Sequence, residues 1–171
     1  MDLTIKIIKN VLSEQTYKNI LSQVEDENVP WCRAIVLDKN TKDFQFCHTI
    51  YAHHNARSHL FEVFNPLYEK LKIGAHSRIK LNCNIQQNEN RILGGFHTDY
   101  HDDNGKPRLN FMTAIYYLNN TNGKTLIKEN GKIKEIKCVA NSVVIFPNTL
   151  EHTGTTHTDV PFRYILNLNY V

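Results

Sequence analysis

The sequence lacks the marks of several specialised classes. No apolar run approaches the roughly 18 to 20 residues that span a membrane. The opening MDLTIKIIKN carries an early acid and no long apolar core, so it does not read as a signal peptide. The four cysteines, Cys32, Cys47, Cys83 and Cys138, stand far apart with no C-x-x-C. That argues against a zinc knuckle or a disulfide scaffold and fits a reducing cytoplasm. There is no Pro/Ser/Gly linker, no internal repeat and no block of like charge. A net charge of +3 is far from the asymmetry of a dedicated nucleic-acid binder. The densest lysine run, Lys124 to Lys137, alternates with Glu and apolar residues and reads as a solvated strand face. What remains is a chain of 171 residues, long enough for one domain with a sizeable core.

Two segments have helical spacing. Ser13 to Glu25 places Tyr17, Ile20, Leu21 and Val24 on one face, with Ser13 as N-cap. Ser58 to Leu71 does the same with Leu60, Phe61, Phe64, Leu67, Tyr68 and Leu71. Pro66 inside it predicts a stop and restart, with Asn65 as cap and Gly74 ending the segment. From Ser77 the period changes to two: Ile79, Leu81, Cys83 and Ile85 alternate with Lys80, Asn82, Asn84 and Gln86. Further strands are expected over Asn110 to Leu118, on both sides of Asn130-Gly131, over Ser142 to Phe146 and over Phe162 to Tyr170. Asn-Gly is the preferred two-residue hairpin turn because both positions need positive φ. With short strands near Gly94-Gly95 and at His152, eight strands follow the helices. Helices first and antiparallel strands after predict a mainly β fold, a jelly roll with supporting N-terminal helices.

The stretch GGFHTDYHDD, Gly94 to Asp103, concentrates ligand-type residues. The chain has three His-x-Asp triplets, beginning at His97, His101 and His157. With nine histidines a triplet is weak evidence alone. A His and an Asp two apart on a strand share a face and can grip one ion. A third ligand must come from elsewhere, and His152 follows an apolar strand and turn, VVIFPNTLEH. Two His and one carboxylate leave open positions suited to non-haem Fe(II). His101 and Asp103 are a rival pair, but they fall in the turn-like DDNGKP stretch. His157 and Asp159 have no later His to complete a set and fit a loop. In the last strand Arg163, Ile165, Asn167 and Asn169 share one face. A half-buried Arg there needs an anionic partner, and its planar guanidinium matches a carboxylate.

From about Ile79 to Val171 the chain resembles the Fe(II)/2-oxoglutarate-dependent oxygenases of the prolyl-hydroxylase-like branch, in the order FHTD, TAIYYLN, NGKT, VVIFPN, EHTG and FRYILNLNY. The resemblance implies a double-stranded β-helix of the cupin-like kind. It implies that His97, Asp99 and His152 bind iron and that Arg163 holds the distal carboxylate of 2-oxoglutarate. It also implies a helping role for Tyr117 at that carboxylate, and for Asn84 (or Asn82 or Gln86) on the first barrel strand, where relatives carry a Tyr. Fe(II), 2-oxoglutarate and O2, with ascorbate as accessory reductant, are the implied cofactors. The implied organisation is one oxygenase domain over 1–171, with 1–75 as helical support and lid region and 76–171 as jelly-roll catalytic core. Small stand-alone relatives occur in bacteria and phages, which implies a cytoplasmic setting. The family's Gly-Gly is Asn122-Gly123 here.

The implied activity is hydroxylation of a C–H bond, first of a prolyl or other peptide side chain, releasing succinate and CO2. A small-molecule hydroxylase on the same fold is the alternative substrate class, and a non-catalytic cupin-like binding module the alternative kind of protein. Nucleic-acid demethylases of the superfamily carry a second Arg six residues beyond the first; here Asn169 stands there, and neither nucleic acid nor membrane is expected as a partner. Trp31, His48, Tyr51, His53 and His54 lie in the segment that often forms a lid or substrate wall in relatives, with packing as the plainer role.

Overall fold

Ser13 starts the first helix for a local reason. Its backbone is extended (φ −60°, ψ 151°), and its Oγ accepts a hydrogen bond from Thr16 N at 3.2 Å. Helix α1 (Glu14–Val24) then buries Ile20 and Val24, four residues apart on one face. The computed structural model describes residues 4–35 and 43–171. Residues 36–42, part of the expected lid region, lie outside the described residues, as do residues 1–3. The second helical segment breaks as Pro66 demands, into α2 (Leu60–Val63) and α3 (Asn65–Leu71). The cap is Phe64 rather than Asn65, so the helix restarts one residue earlier than expected. It ends at Lys72, which takes the left-handed conformation (φ 53°), rather than at Gly74.

Among the described residues there are twelve strands. The eight expected after the helices are β5 (His76–Ile85), β6 (Ile92–His97), β7 (Met112–Tyr117), β8 (Thr121–Glu129), β9 (Lys132–Cys138), β10 (Ser142–Pro147), β11 (His152–Thr155) and β12 (Phe162–Tyr170). Asn130 and Gly131 both have positive φ, 52° and 73°, closing the β8–β9 hairpin as the sequence requires. Four strands precede them: β1 (Lys6–Lys9), β2 (Cys32–Ile35), β3 (Phe44–Ala52) and β4 (Asn55–Ala56). The first 75 residues are therefore more than helical support, because β3 pairs directly with β5. The FQFCHTIYA stretch hides its strand character: its apolar residues fall on both faces, and a register shift between Thr49 and Tyr51 breaks the alternation.

The strands form two antiparallel sheets. The large one runs β1-β10-β7-β12-β5-β3-β2, with β4 on β3; the small one runs β6-β11-β8-β9. This is the double-stranded β-helix that the sequence predicts. Alternation along β12 divides the molecule. Leu166, Leu168 and Tyr170 point outward into a core shared with Ile20, Val24, Leu60, Phe64 and Leu67 of the helices. Between the sheets a second core gathers Ile115, Tyr117, Val144 and Phe146 with Ile127, Ile136 and Cys138. The same inter-sheet space opens, beside this core, into a cavity of about 330 Å³.

Candidate metal and anion site

The small sheet brings the two histidines together. His97 ends β6, His152 begins β11, and the two are direct cross-strand partners with ring centroids 4.6 Å apart. Gly94 (φ 70°) lies in the β6 stretch where the pairing with β11 shifts register, so the Gly-Gly pair marks a bulge that re-aims the end of the strand. Asp99 follows two residues on and turns back between the imidazoles. Its Oδ1 lies 3.8 Å from His97 Nε2 and its Oδ2 3.6 Å from His152 Nε2. Ligand atoms of these three residues all lie within 4.8 Å of one another. His97 Nδ1 lies 3.1 Å from Gly95 O and His152 Nδ1 lies 3.5 Å from Leu150 O. A proton on each Nδ1 satisfies these carbonyls and leaves both Nε2 lone pairs facing Asp99 and the cavity.

Asp99 is buried (its side chain 4 % exposed) yet held as a carboxylate. Burial pushes its pKa up, but His152, Arg78 and the amides of Asn169 and Asn167 outweigh burial and hold it well below the usual range. Oδ2 accepts from Asn167 Nδ2 and Asn169 Nδ2, both at 3.0 Å. Oδ1 accepts from Arg78 Nη2 at 3.0 Å. A carboxylate oxygen has two acceptor positions, so Oδ1 keeps one open. His152 is pushed the other way: burial lowers its pKa, favouring the neutral form a metal needs, while Asp99 opposes the shift.

Arg163 lies at the far end of the same cavity wall. It is 1 % exposed, the largest fully buried side chain among the described residues. Nη1 donates to Thr155 O at 2.9 Å, whereas Nε and Nη2 are buried with no hydrogen-bond partner. A buried guanidinium that lines a cavity and has two idle donors is a site for an anion. Asn82 and Asn84 line the cavity beside it, and Asn84 Nδ2 reaches Gln45 Oε1 at 3.4 Å. Gln86 turns away, donating to Thr158 O at 2.6 Å. Tyr117 is fully buried in the inter-sheet core, and its hydroxyl donates to Thr125 Oγ1 at 2.8 Å. Thr125 is the side chain at the cavity wall, with Tyr117 directly behind it.

The rival residues are placed elsewhere. His101 is exposed at the cavity mouth, its Nε2 2.7 Å from Thr98 Oγ1, and Asp103 is exposed. His157 is buried, but its neighbour Asp159 caps Asn122 N at 2.8 Å in a surface loop. His48 is held between Pro30 O (3.1 Å) and Ser58 Oγ (2.8 Å), with Trp31 against it, so these residues pack rather than line the cavity. The wall contributed by this segment is instead Ala34, Ile35 and Gln45. Sequence reasoning passed over Arg78, Asn167 and Asn169 as partners of Asp99. Their signal was present, since Arg78 shares the alternating face of Lys80, Asn82 and Asn84, and the two Asn share that of Arg163.

Three comparisons bear on this geometry. The sequence model of the 2OG-Fe(II) oxygenase superfamily matches residues 86–171. No curated protein matches the sequence. Among solved structures, the chain is similar to a prolyl hydroxylase in complex with a hypoxia inducible factor oxygen degradation domain peptide fragment, from Trichoplax adhaerens (14% identity, TM-score 0.70, covering 99% of this chain and 84% of that one). It is also similar to a Pseudomonas putida prolyl-4-hydroxylase (12%, TM-score 0.63, 99% and 93%). A third is HygX from Streptomyces hygroscopicus, with nickel and 2-oxoglutarate bound (12%, TM-score 0.62, 99% and 83%). At these identities the likeness concerns the fold.

Proposed function

The chain belongs to the 2OG-Fe(II) oxygenase superfamily and is an Fe(II)- and 2-oxoglutarate-dependent dioxygenase, and on that premise we propose that it hydroxylates a prolyl or other peptide side chain, with His97, Asp99 and His152 as iron ligands and Arg163 as the anchor of 2-oxoglutarate. The observation that carries the residue assignment is the pair of idle donors on buried Arg163, in the same cavity as the clustered His97, Asp99 and His152. The donor set suits the metal: two imidazoles and one carboxylate with an open acceptor position. Similarity to prolyl hydroxylases supports the prolyl choice.

Bound Fe(II) with 2-oxoglutarate and O2 supplies the oxidising power that places a hydroxyl on a C–H bond while succinate and CO2 leave. The protein's part is orientation and charge. Gly95 O and Leu150 O fix the imidazole tautomers. Arg78, Asn167 and Asn169 keep Asp99 ionised and aimed at the histidines. Arg163 offers Nε and Nη2 to the far carboxylate, with Asn84 beside it and Tyr117 behind Thr125 completing the polar end.

The test is succinate formation by iron-loaded protein given 2-oxoglutarate and a set of proline-containing peptides, with mass analysis of the peptides. A peptide gaining one oxygen in step with succinate is the expected result. Asp99→Ala should abolish it, and Arg163→Ala should sharply raise the 2-oxoglutarate requirement. Full activity in both variants would overturn the residue assignment. Succinate stimulated by free metabolites alone would move the substrate to the small-molecule class.

A further inference from the structure

The inner face of β5 presents Arg78, Lys80, Asn82 and Asn84 in order, and all four line the cavity. Among the described residues Asp99 is the only carboxylate that lines it, and Arg78 already pairs with it. Lys80 is half-buried, and its register partner on β3, Thr49, is exposed. Among the described residues no acidic group pairs with Lys80; its side chain reaches only the Cys47 thiol. A half-buried ammonium without a counter-ion is costly.

The residue directly opposite Lys80 on β12 is Asn167. Its Nδ2 donates to Asp99 Oδ2, and a carboxylate can only accept, so the orientation of the amide is fixed. Asn167 Oδ1 is then an acceptor, buried and without a partner. One stretch of wall thus shows an unpaired cation and an unpaired acceptor side by side. Arg163 pairs with Asn84, four residues along β5, or roughly 13 Å at strand spacing. The Lys80 wall is therefore separate from the guanidinium assigned to 2-oxoglutarate.

We infer that Lys80 and Asn167 form the subsite for a carboxylate on the primary substrate. Lys80 is its counter-ion, and Asn167 Oδ1 accepts from an N–H beside it. A carboxylate next to an N–H is the pattern of an α-amino acid end, supplied by a free amino acid or by the C-terminal residue of a peptide. The inference rests on the oxygenase reading above and narrows its substrate. The wall facing the substrate is cationic, and the Asp102 carboxylate is held by the backbone amides of Asn104 and Lys106 in its own turn.

The experiment is anaerobic calorimetry on full-length protein loaded with Fe(II) and 2-oxoglutarate. Proline, leucine and glycylproline are each titrated as the free acid and as the amide. At least one acid should bind ten-fold or more tighter than its amide. Lys80→Met should erase that preference and Lys80→Arg should keep it, with 2-oxoglutarate affinity within about two-fold in both. Preference for proline or leucine acid identifies a free amino acid; preference for glycylproline acid identifies a peptide C-terminus. Equal binding of acid and amide, binding of neither, or a Lys80→Met effect on 2-oxoglutarate instead overturns the subsite. Wild-type protein that fails to take up 2-oxoglutarate would sink the oxygenase site assignment itself; acids that fail on protein holding 2-oxoglutarate sink only the Lys80 subsite.

Discussion

Gly123 lies so close to Arg163 that a side chain there would crowd it: a Cβ would come to 3.1 Å from Arg163 Nη1 and 3.2 Å from Thr156 O. The neighbouring Asn122 pins the same region, its Oδ1 accepting from Thr158 N at 3.0 Å and its Nδ2 donating to Thr158 Oγ1 at 2.7 Å. Asn122-Gly123 thus keeps the glycine that packs on the guanidinium. Its partner position is replaced by a side chain that ties down the loop between β11 and β12.

Gly123→Ala should displace the guanidinium while leaving His97, Asp99 and His152 in place. The expected outcome is a 2-oxoglutarate requirement raised about ten-fold, the equivalent of about 1.4 kcal/mol, with Fe(II) affinity little changed. Titration of each ligand separately checks it. A variant with wild-type co-substrate affinity would show that the contact does not position Arg163.

The two His-x-Asp pairs of GGFHTDYHDD should separate cleanly. His97→Ala should lose anaerobic Fe(II) binding and the weak visible absorption that appears with 2-oxoglutarate. His101→Ala should retain both, because His101 is exposed and engaged with Thr98 Oγ1. The opposite pattern would reassign the ligands.

On the proposed ligand assignment, Arg78 and Asn169 would act on the metal through Asp99. Arg78 Nη2 binds Oδ1, and Arg78 Nε donates to Asn169 Oδ1 at 3.1 Å, so the three form a closed network. Removing a partner that orients a ligand typically lowers metal affinity about 10- to 100-fold. Arg78→Ala and Asn169→Ala should each fall in that range, and the double variant should lose less than the sum of the two. Metal-competition titrations measure all three.

Buried histidines should make the metal-free protein acid-sensitive. Burial lowers the pKa of His76, which packs against Tyr68, Phe61 and Tyr51. Burial and then the charge of Arg163 lower that of His157. A histidine with a lowered folded pKa binds fewer protons folded than unfolded. Its stabilisation is fully present above the unfolded value, about 6.5, and is lost as pH falls below it. The Tm should therefore drop between pH 7 and pH 5, and His76→Phe should make that slope shallower. An unchanged slope would mean that His76 stays solvated.

Asn141 is the stability hinge of the N-terminal segment. It is buried with φ 54°, its Oδ1 accepts from Leu12 N and Tyr116 Oη (both 3.1 Å), and its Nδ2 donates to Leu12 O at 2.9 Å. Asn141→Ala leaves buried donors and an acceptor unmet, each costing about 1–3 kcal/mol. Denaturant unfolding should show a loss of at least about 2 kcal/mol.

Some of this was legible in the sequence because it is local. Ser13 caps its helix, Pro66 breaks the next one, Asn130-Gly131 closes a hairpin, and β12 sorts its residues by alternation, all within a few residues of chain. The His97-x-Asp99 pair and Arg163 were legible for the same reason: period two tells which side chains share a face. What period two cannot tell is which strand lies alongside. That β3 joins β5, that Asn167 faces Lys80, that Arg78 and Asn169 close on Asp99, and that Gly123 rests on Arg163 all depend on pairings between residues 21 to 91 positions apart. Such pairings are fixed when the sheets and helices bury their apolar faces together, so only the tertiary structure decided them.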